Sequence, residues 1–135
     1  SAQQIRDKLT NHLATDNDNQ KQDELLLTSD NEKEKLKIKS DNLFFIKSVG
    51  NYIEVYFKKD NTIDSRILRS SLKRVEDYLQ GNRNFCRSHR AYLVNLNNIV
   101  NISGNSQGYE LEFRELDKRV PVSRKYSKNL RDLII

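Results

Sequence analysis

Two kinds of residue in this 135-residue chain could carry chemistry, and they meet in one stretch, "FCRSHRAYLVN", residues 85–95. The first kind is a thiol beside an imidazole. Cys86 and His89 have the C-x-x-H spacing of half a zinc site, but a structural zinc needs four ligands, and the other histidine, His12, lies far toward the N-terminus. A cysteine nucleophile needs a third group to orient its base and donors for an oxyanion, and nothing in the sequence supplies them. The pair reads as a partly buried structural cysteine beside an exposed histidine. There is no Gly-rich phosphate loop, and the acidic residues are scattered without ligand spacing. No catalytic residue, metal or cofactor is assigned, and the chain is not expected to be an enzyme.

The second kind is cationic and recurs where strands end. Lys47 and Ser48 precede a Gly50-Asn51 turn that leads into Tyr52. Arg87, His89 and Arg90 flank the apolar run that begins at Tyr92. Ser123, Arg124 and Lys125 join a short strand to the last helix. The planar fork of arginine suits guanine edges and phosphates, asparagine pairs with adenine, and hydroxyls or backbone amides bind phosphate. A strand-end arginine alone is ordinarily a solvated side chain. Three polar, basic junctions on one scaffold could form a binding surface.

The elements that must position these junctions are mostly strands. From Lys35 the apolar period is two: Ile53, Val55 and Phe57 point one way in "NYIEVYFK", and Tyr52, Glu54, Tyr56 and Lys58 the other. "LFFIKSV" before it and "TIDSRILR" after it complete an antiparallel meander joined at Gly-Asn and "KKDN" turns. Ser70 or Ser71 can cap a helix carrying Leu72, Val75 and Leu79 on one face and ended by Gly81. Strands resume at "FCRSH" and at "YLVNLNNIVNIS", read as one run. "GNSQG" joins Val100 and Ile102 to "YELEF". "RVPVS" is a last strand whose proline predicts an edge. Ser123 can cap a final helix with Tyr126, Leu130 and Leu133 on one face.

Composition allows one domain plus a tail. The chain is 36% hydrophobic, has one cysteine and has no apolar run near the length of a membrane span. A cytoplasmic setting is expected. With no methionine and a Ser-Ala start, the chain is expected to be a piece of a longer protein. Residues 1–33 carry four Lys/Arg and seven Asp/Glu, net −3; the remainder carries 20 against 12, net +8. A basic body behind an acidic leader points to a polyanionic partner. Residues 1–33 read as linker and short helix (Ile5, Leu9, Leu13), partly disordered, with Leu25, Leu26 and Leu27 either in that linker, in a longer helix or docked on the body. Residues 34–135 read as the folded body.

Over about residues 33–135 the chain resembles the LytTR-type DNA-binding domain of bacterial transcription regulators. "NLFFIKSVGNYIEVYF" is similar to that family's opening hairpin and "RSSLKRVEDYL" to its central helix. "FCRSHRAYLVNLNNI", "SGNSQGYELEF" and "VPVSRKYSKNL" follow in the family's order. The resemblance implies a mainly β fold, with three small antiparallel sheets side by side, a short central helix and a C-terminal helix. It implies sequence-specific binding of double-stranded DNA by loops that enter successive grooves of a bent duplex, commonly at imperfect direct repeats. Matched residue by residue, it puts contacts at Asn51 and Tyr52, at His89 and Arg90, and at Arg124 and Lys125. Ala91 stands where many members have serine, so one hydroxyl contact to phosphate is expected to be missing. An upstream receiver or membrane domain is implied for the full-length protein, as in two-component response regulators.

Direct repeats need two copies in one orientation, so the fragment is expected to be monomeric without DNA, with a dimer through the N-terminal helix as the alternative. Two other readings remain at this level. One is a protein-interaction module docking an acidic partner on its basic face. The other is a single-strand binder, for which Tyr52 and Tyr56 would have to serve as the stacking platform.

Overall fold

The computed structural model describes residues 24–134 except Ser106. The short helix and the linker expected before residue 24 lie outside the described residues. Ten strands and two helices follow in the order β1 (Glu24–Thr28), β2 (Lys35–Lys39), β3 (Leu43–Val49), β4 (Tyr52–Lys59), β5 (Thr62–Arg69), α1 (Leu72–Tyr78), β6 (Phe85–His89), β7 (Tyr92–Asn95), β8 (Ile99–Asn105), β9 (Gly108–Phe113), β10 (Leu116–Val122) and α2 (Arg124–Ile134). They form three antiparallel sheets: β1-β2, a central β5-β4-β3-β7-β6, and β10-β9-β8. The mainly β arrangement of three small sheets with two helices is the one expected.

The middle of the central sheet is buried on both faces, which is why its strands depart from simple alternation. On one face Leu43, Ile46, Ile53, Val55, Phe57, Leu68 and Leu93 pack with β1, β2 and α1. On the other, Phe44, Phe45 and Val94 pack with the third sheet and with Leu130 of α2. Adjacent Phe44 and Phe45 reach the same core because the register with β4 shifts between Leu43 and Phe45, where the chain bulges. Strand β7 is split between the two cores, Leu93 facing one and Val94 the other.

Two expectations are corrected. Residues 24–28 are not linker: they form a strand in register with β2, Leu25 opposite Ile38 and Leu27 opposite Leu36, and Leu25 and Leu27 are buried. The ordered body therefore begins at least ten residues before 34. Nor is "YLVNLNNIVNIS" one strand, since a 3-10 turn at Leu96–Asn98 breaks it and moves the chain from the central to the third sheet. Asparagines make that break. Asn95 Nδ2 donates to the carbonyls of Ser40 and Leu43 (2.9 and 2.8 Å), while its Oδ1 accepts from the Asn97 amide. Asn98 Nδ2 donates to the carbonyls of Asp41 and Leu43, both at 2.9 Å. Two buried amides thus satisfy carbonyls left over by the turn before β3.

Other local readings hold. Ser71 is the cap of α1, its Oγ accepting from the Arg74 amide at 3.1 Å. Pro121 lies in edge strand β10. The β8–β9 hairpin depends on Gly104, whose φ is +107° and where a Cβ would collide with the Gly108 carbonyl.

Candidate nucleic-acid interface

The three basic junctions come together at one end of the central sheet, and backbone hydrogen bonds join them. Where β3 ends, the Ser48 amide donates to the Ala91 carbonyl at 2.8 Å, tying the β3–β4 turn to the β6–β7 turn. Where β6 ends, its register with β7 shifts between Arg87 and His89, so Ser88 drops out of the ladder. Its freed carbonyl accepts from the Ser123 amide at 2.9 Å, and its hydroxyl donates to the Pro121 carbonyl at 3.0 Å. Ser88 is 0% exposed. This serine, absent from the sequence-derived site, fastens the third junction to the second. Nothing in its neighbourhood of cations distinguishes it in the sequence as a brace.

The β6–β7 turn is held from several sides. His89 Nδ1 accepts from the Ala91 amide at 3.0 Å, which assigns that nitrogen as the acceptor and leaves Nε2 as the donor of the neutral ring. The ring stands edge-on to Tyr92, with centroids 5.6 Å apart. Both backbone groups of Ala91 are engaged, one by His89 and one by Ser48, so the turn does not depend on the side chain at 91.

Arg87 belongs to this support rather than to the surface. Its guanidinium pairs with Glu76 of α1 at 2.8 Å and donates to the Arg90 carbonyl at 2.6 Å, with 18% of the side chain exposed. Both of its terminal nitrogens are thus held by the protein, although its position makes it a candidate DNA contact.

The remaining sequence-predicted residues line the outer rim. Asn51, Tyr52, Arg90, Arg124 and Lys125 are exposed; Lys47, Ser48, His89 and Ser123 are half-buried. Lys47 Nζ lies 5.8 Å from the centre of the Tyr92 ring and Lys125 Nζ 5.4 Å from that of Tyr126, contacts that steady two long side chains without neutralising them. Sequence reasoning also missed Arg69 and Lys73, which border a groove of about 500 Å³ beside Asn51. Arg69 stacks toward Tyr52 at 5.8 Å and pairs with Asp30 at 3.3 Å, and Lys73 pairs with Asp77 at 3.1 Å. The stretch "RSSLK" is legible as basic, but its place beside the first turn depends on how β5 pairs with β4.

The geometry also disposes of two alternatives. Tyr56 stacks on Phe45 with centroids 4.5 Å apart, and Lys118 lies over it, so it does not form a stacking platform with Tyr52. Burial pushes the Cys86 thiol up to about 12, which disfavours a thiolate nucleophile at neutral pH.

Known proteins share this arrangement. Residues 33–135 match the LytTr DNA-binding domain. The "Sensory transduction protein LytT" of Oceanobacillus iheyensis is 33% identical over 87 residues, covering 63% of this chain; the chain spans about a third of that relative, 34% of its length. A solved LytTr DNA-binding domain from Bacillus cereus has the same fold, with a TM-score of 0.59 at 21% identity, covering 83% of this chain and 96% of that one. Three small sheets in series, three turns brought to one end and a family match over most of the chain lead to one conclusion: this chain belongs to the LytTr DNA-binding domain family.

Proposed function

We propose that this chain is the duplex-reading part of a bacterial transcriptional regulator of the response-regulator type, and that the three braced turns are its reading head. The observation that carries the proposal is the pair of backbone bonds, Ser48 to Ala91 and Ser123 to Ser88, which put the cations of three distant segments on one rigid edge. Side chains presented from a fixed backbone lose less entropy on binding than those on free loops. Arg90 and Arg124, exposed at the turn tips, are assigned to base edges, and Lys47, Lys125 and Ser123 to phosphates. Asn51 and Tyr52 form a second tip one turn away, and His89 offers Nε2–H. Arg87 acts by holding the Arg90 backbone in place.

Family resemblance supports two copies loading in one orientation on imperfect direct repeats of a bent duplex, with an upstream receiver or membrane domain supplying the signal in a cytoplasmic regulator. Among the described residues no helix is long and apolar enough to cross a membrane. The test is a genomic DNA selection with the 135-residue chain, followed by competition between the selected duplex and a scrambled one. Preference for the selected duplex at physiological salt is expected. Equal competition by both would overturn sequence-specific reading.

A further inference from the structure

We propose that β5 is a self-complementary edge through which two copies of this chain pair across a two-fold axis at Ser65. This goes beyond the DNA reading and does not depend on it. Among the described residues, strand β5 borders the central sheet and pairs with β4 alone. Its hairpin to β4 is closed by Lys59 opposite Thr62 around Asp60 and Asn61, both at positive φ, the signature of a two-residue turn. Such a turn closes on a hydrogen-bonded pair, so the even-numbered residues of β5 bond to β4, and Ile63, Ser65, Ile67 and Arg69 turn their backbone groups outward. Two bonds agree with that parity. The Arg69 carbonyl accepts from the Asp30 amide at 2.8 Å, and the Ser65 amide is taken by the adjacent Asp64 carboxylate at 2.8 Å. The turn after β1 therefore covers the edge at Arg69, while among the described residues the edge from Ile63 to Ile67 is open.

The sequence along the open edge, Ile-Asp-Ser-Arg-Ile, is complementary to itself when reversed. An antiparallel pair centred on Ser65 sets Ser65 opposite Ser65 of the second copy as a hydrogen-bonded pair. On one face Ile63 then meets Ile67 of the second copy. On the other, Asp64 meets Arg66 of the second copy. Ile63 and Ile67 are large apolar side chains 38% and 59% exposed, and Asp64 and Arg66 are exposed as well. Each pairing is apolar against apolar or opposite charge against opposite charge, the combinations that stabilise neighbouring strands. Alone, the chain blunts this edge by folding the Asp64 carboxylate onto the Ser65 amide; in the pair that carboxylate turns to arginine.

A contact of one short strand falls below the area of a stable dimer, so pairing is weak for free chains and is driven by local concentration. The axis also reverses the strands. The reading head lies at the Arg69 end of β5, so the two heads point to opposite ends of the joined sheets. Copies paired this way hold two separate duplex segments, whereas copies side by side on one repeat do not use this edge.

The experiment is sedimentation of the 135-residue chain over a range on the order of 0.1–1 mM, without DNA. Concentration-dependent dimer is expected for the natural sequence. Asp64→Arg and Arg66→Asp should each weaken it about tenfold, because every cross-strand charge pair becomes a like-charge pair. An equimolar mixture of the two variants should recover dimer. The first variant carries two cations along this face and the second two carboxylates, so opposite charges meet again at both cross-strand positions. Loss of fold in either variant would not be rescued by mixing. A monomer up to the highest concentration, single variants that dimerise as well as the natural chain, or a mixture that stays monomeric would each overturn the proposal.

Discussion

Single side chains at the reading head divide into those that face outward and those that hold the backbone, and substitutions should separate them. Arg90→Ala is expected to cost about 1–3 kcal/mol on the selected duplex and much less on a scrambled one, measured by titrating both. Lys125→Ala should weaken both nearly equally and flatten the salt dependence. Arg87 gives a sharper contrast through its partner. If the Glu76–Arg87 pair (2.8 Å) is a brace, Glu76→Ala should lower stability by about 1–2 kcal/mol, discounted for the partial exposure of both groups. It should also weaken DNA binding, because the turn it supports loosens. A gain in affinity in that variant would mean instead that Arg87, once freed, reaches the DNA. Arg87 shows where the sequence stops being informative: in one dimension it matches Arg90, and only the packing of α1 against β6 puts a carboxylate beside one and solvent beside the other. Cys86, with its thiol pushed up to about 12 by burial, should resist maleimide at about pH 8 in the folded chain and react on unfolding.

At the scale of elements, apolar spacing and turn residues located β3, β4, β5, α1 and the two later hairpins, because each is a short apolar or alternating run with a recognisable end. The same rule failed where burial depends on a partner strand or where polar residues do structural work. "ELLLT" has no polar alternation on its own, and only its pairing with β2 makes Leu25 and Leu27 core residues. A chain starting at residue 34 is therefore not expected to fold as the full chain does. Losing two buried leucines removes roughly 3–6 kcal/mol and bares Leu36 and Ile38. Urea unfolding of 24–135 against 34–135 checks this: the second should unfold at markedly lower denaturant. Asn95 was hidden for a different reason. Its neighbours are strand formers, and nothing local reveals that its amide closes on Ser40 and Leu43. Asn95→Ala should cost about 2–4 kcal/mol, since it strands buried carbonyls as well as removing bonds, visible as a lowered Tm.

For the whole molecule, the +8 carried by residues 34–135 has a measurable signature. The logarithm of DNA affinity should fall by about 0.9 per log unit of salt for each phosphate neutralised, and a flat profile would exclude a phosphate-contacting head. Strands β3 and β7 give side chains to both cores, so they connect the head to both. Core substitutions such as Val94→Asp should unfold the domain, while substitutions of the outward-facing Arg90, Arg124 and Lys125 should leave its melting unchanged.

The brace at Ser88 also sets when the head comes into being. It joins Ser88 to Pro121 and Ser123, partners separated by tens of residues, and contacts of that range are slow to form. During synthesis the first two turns emerge well before the third, which exists only once the chain has been extended to its last helix. A prematurely terminated chain would thus carry much of the positive charge but no assembled head. Through residue 120 its 20 Lys/Arg are nearly balanced by 18 Asp/Glu, so it would not compete for the sites that the assembled head reads.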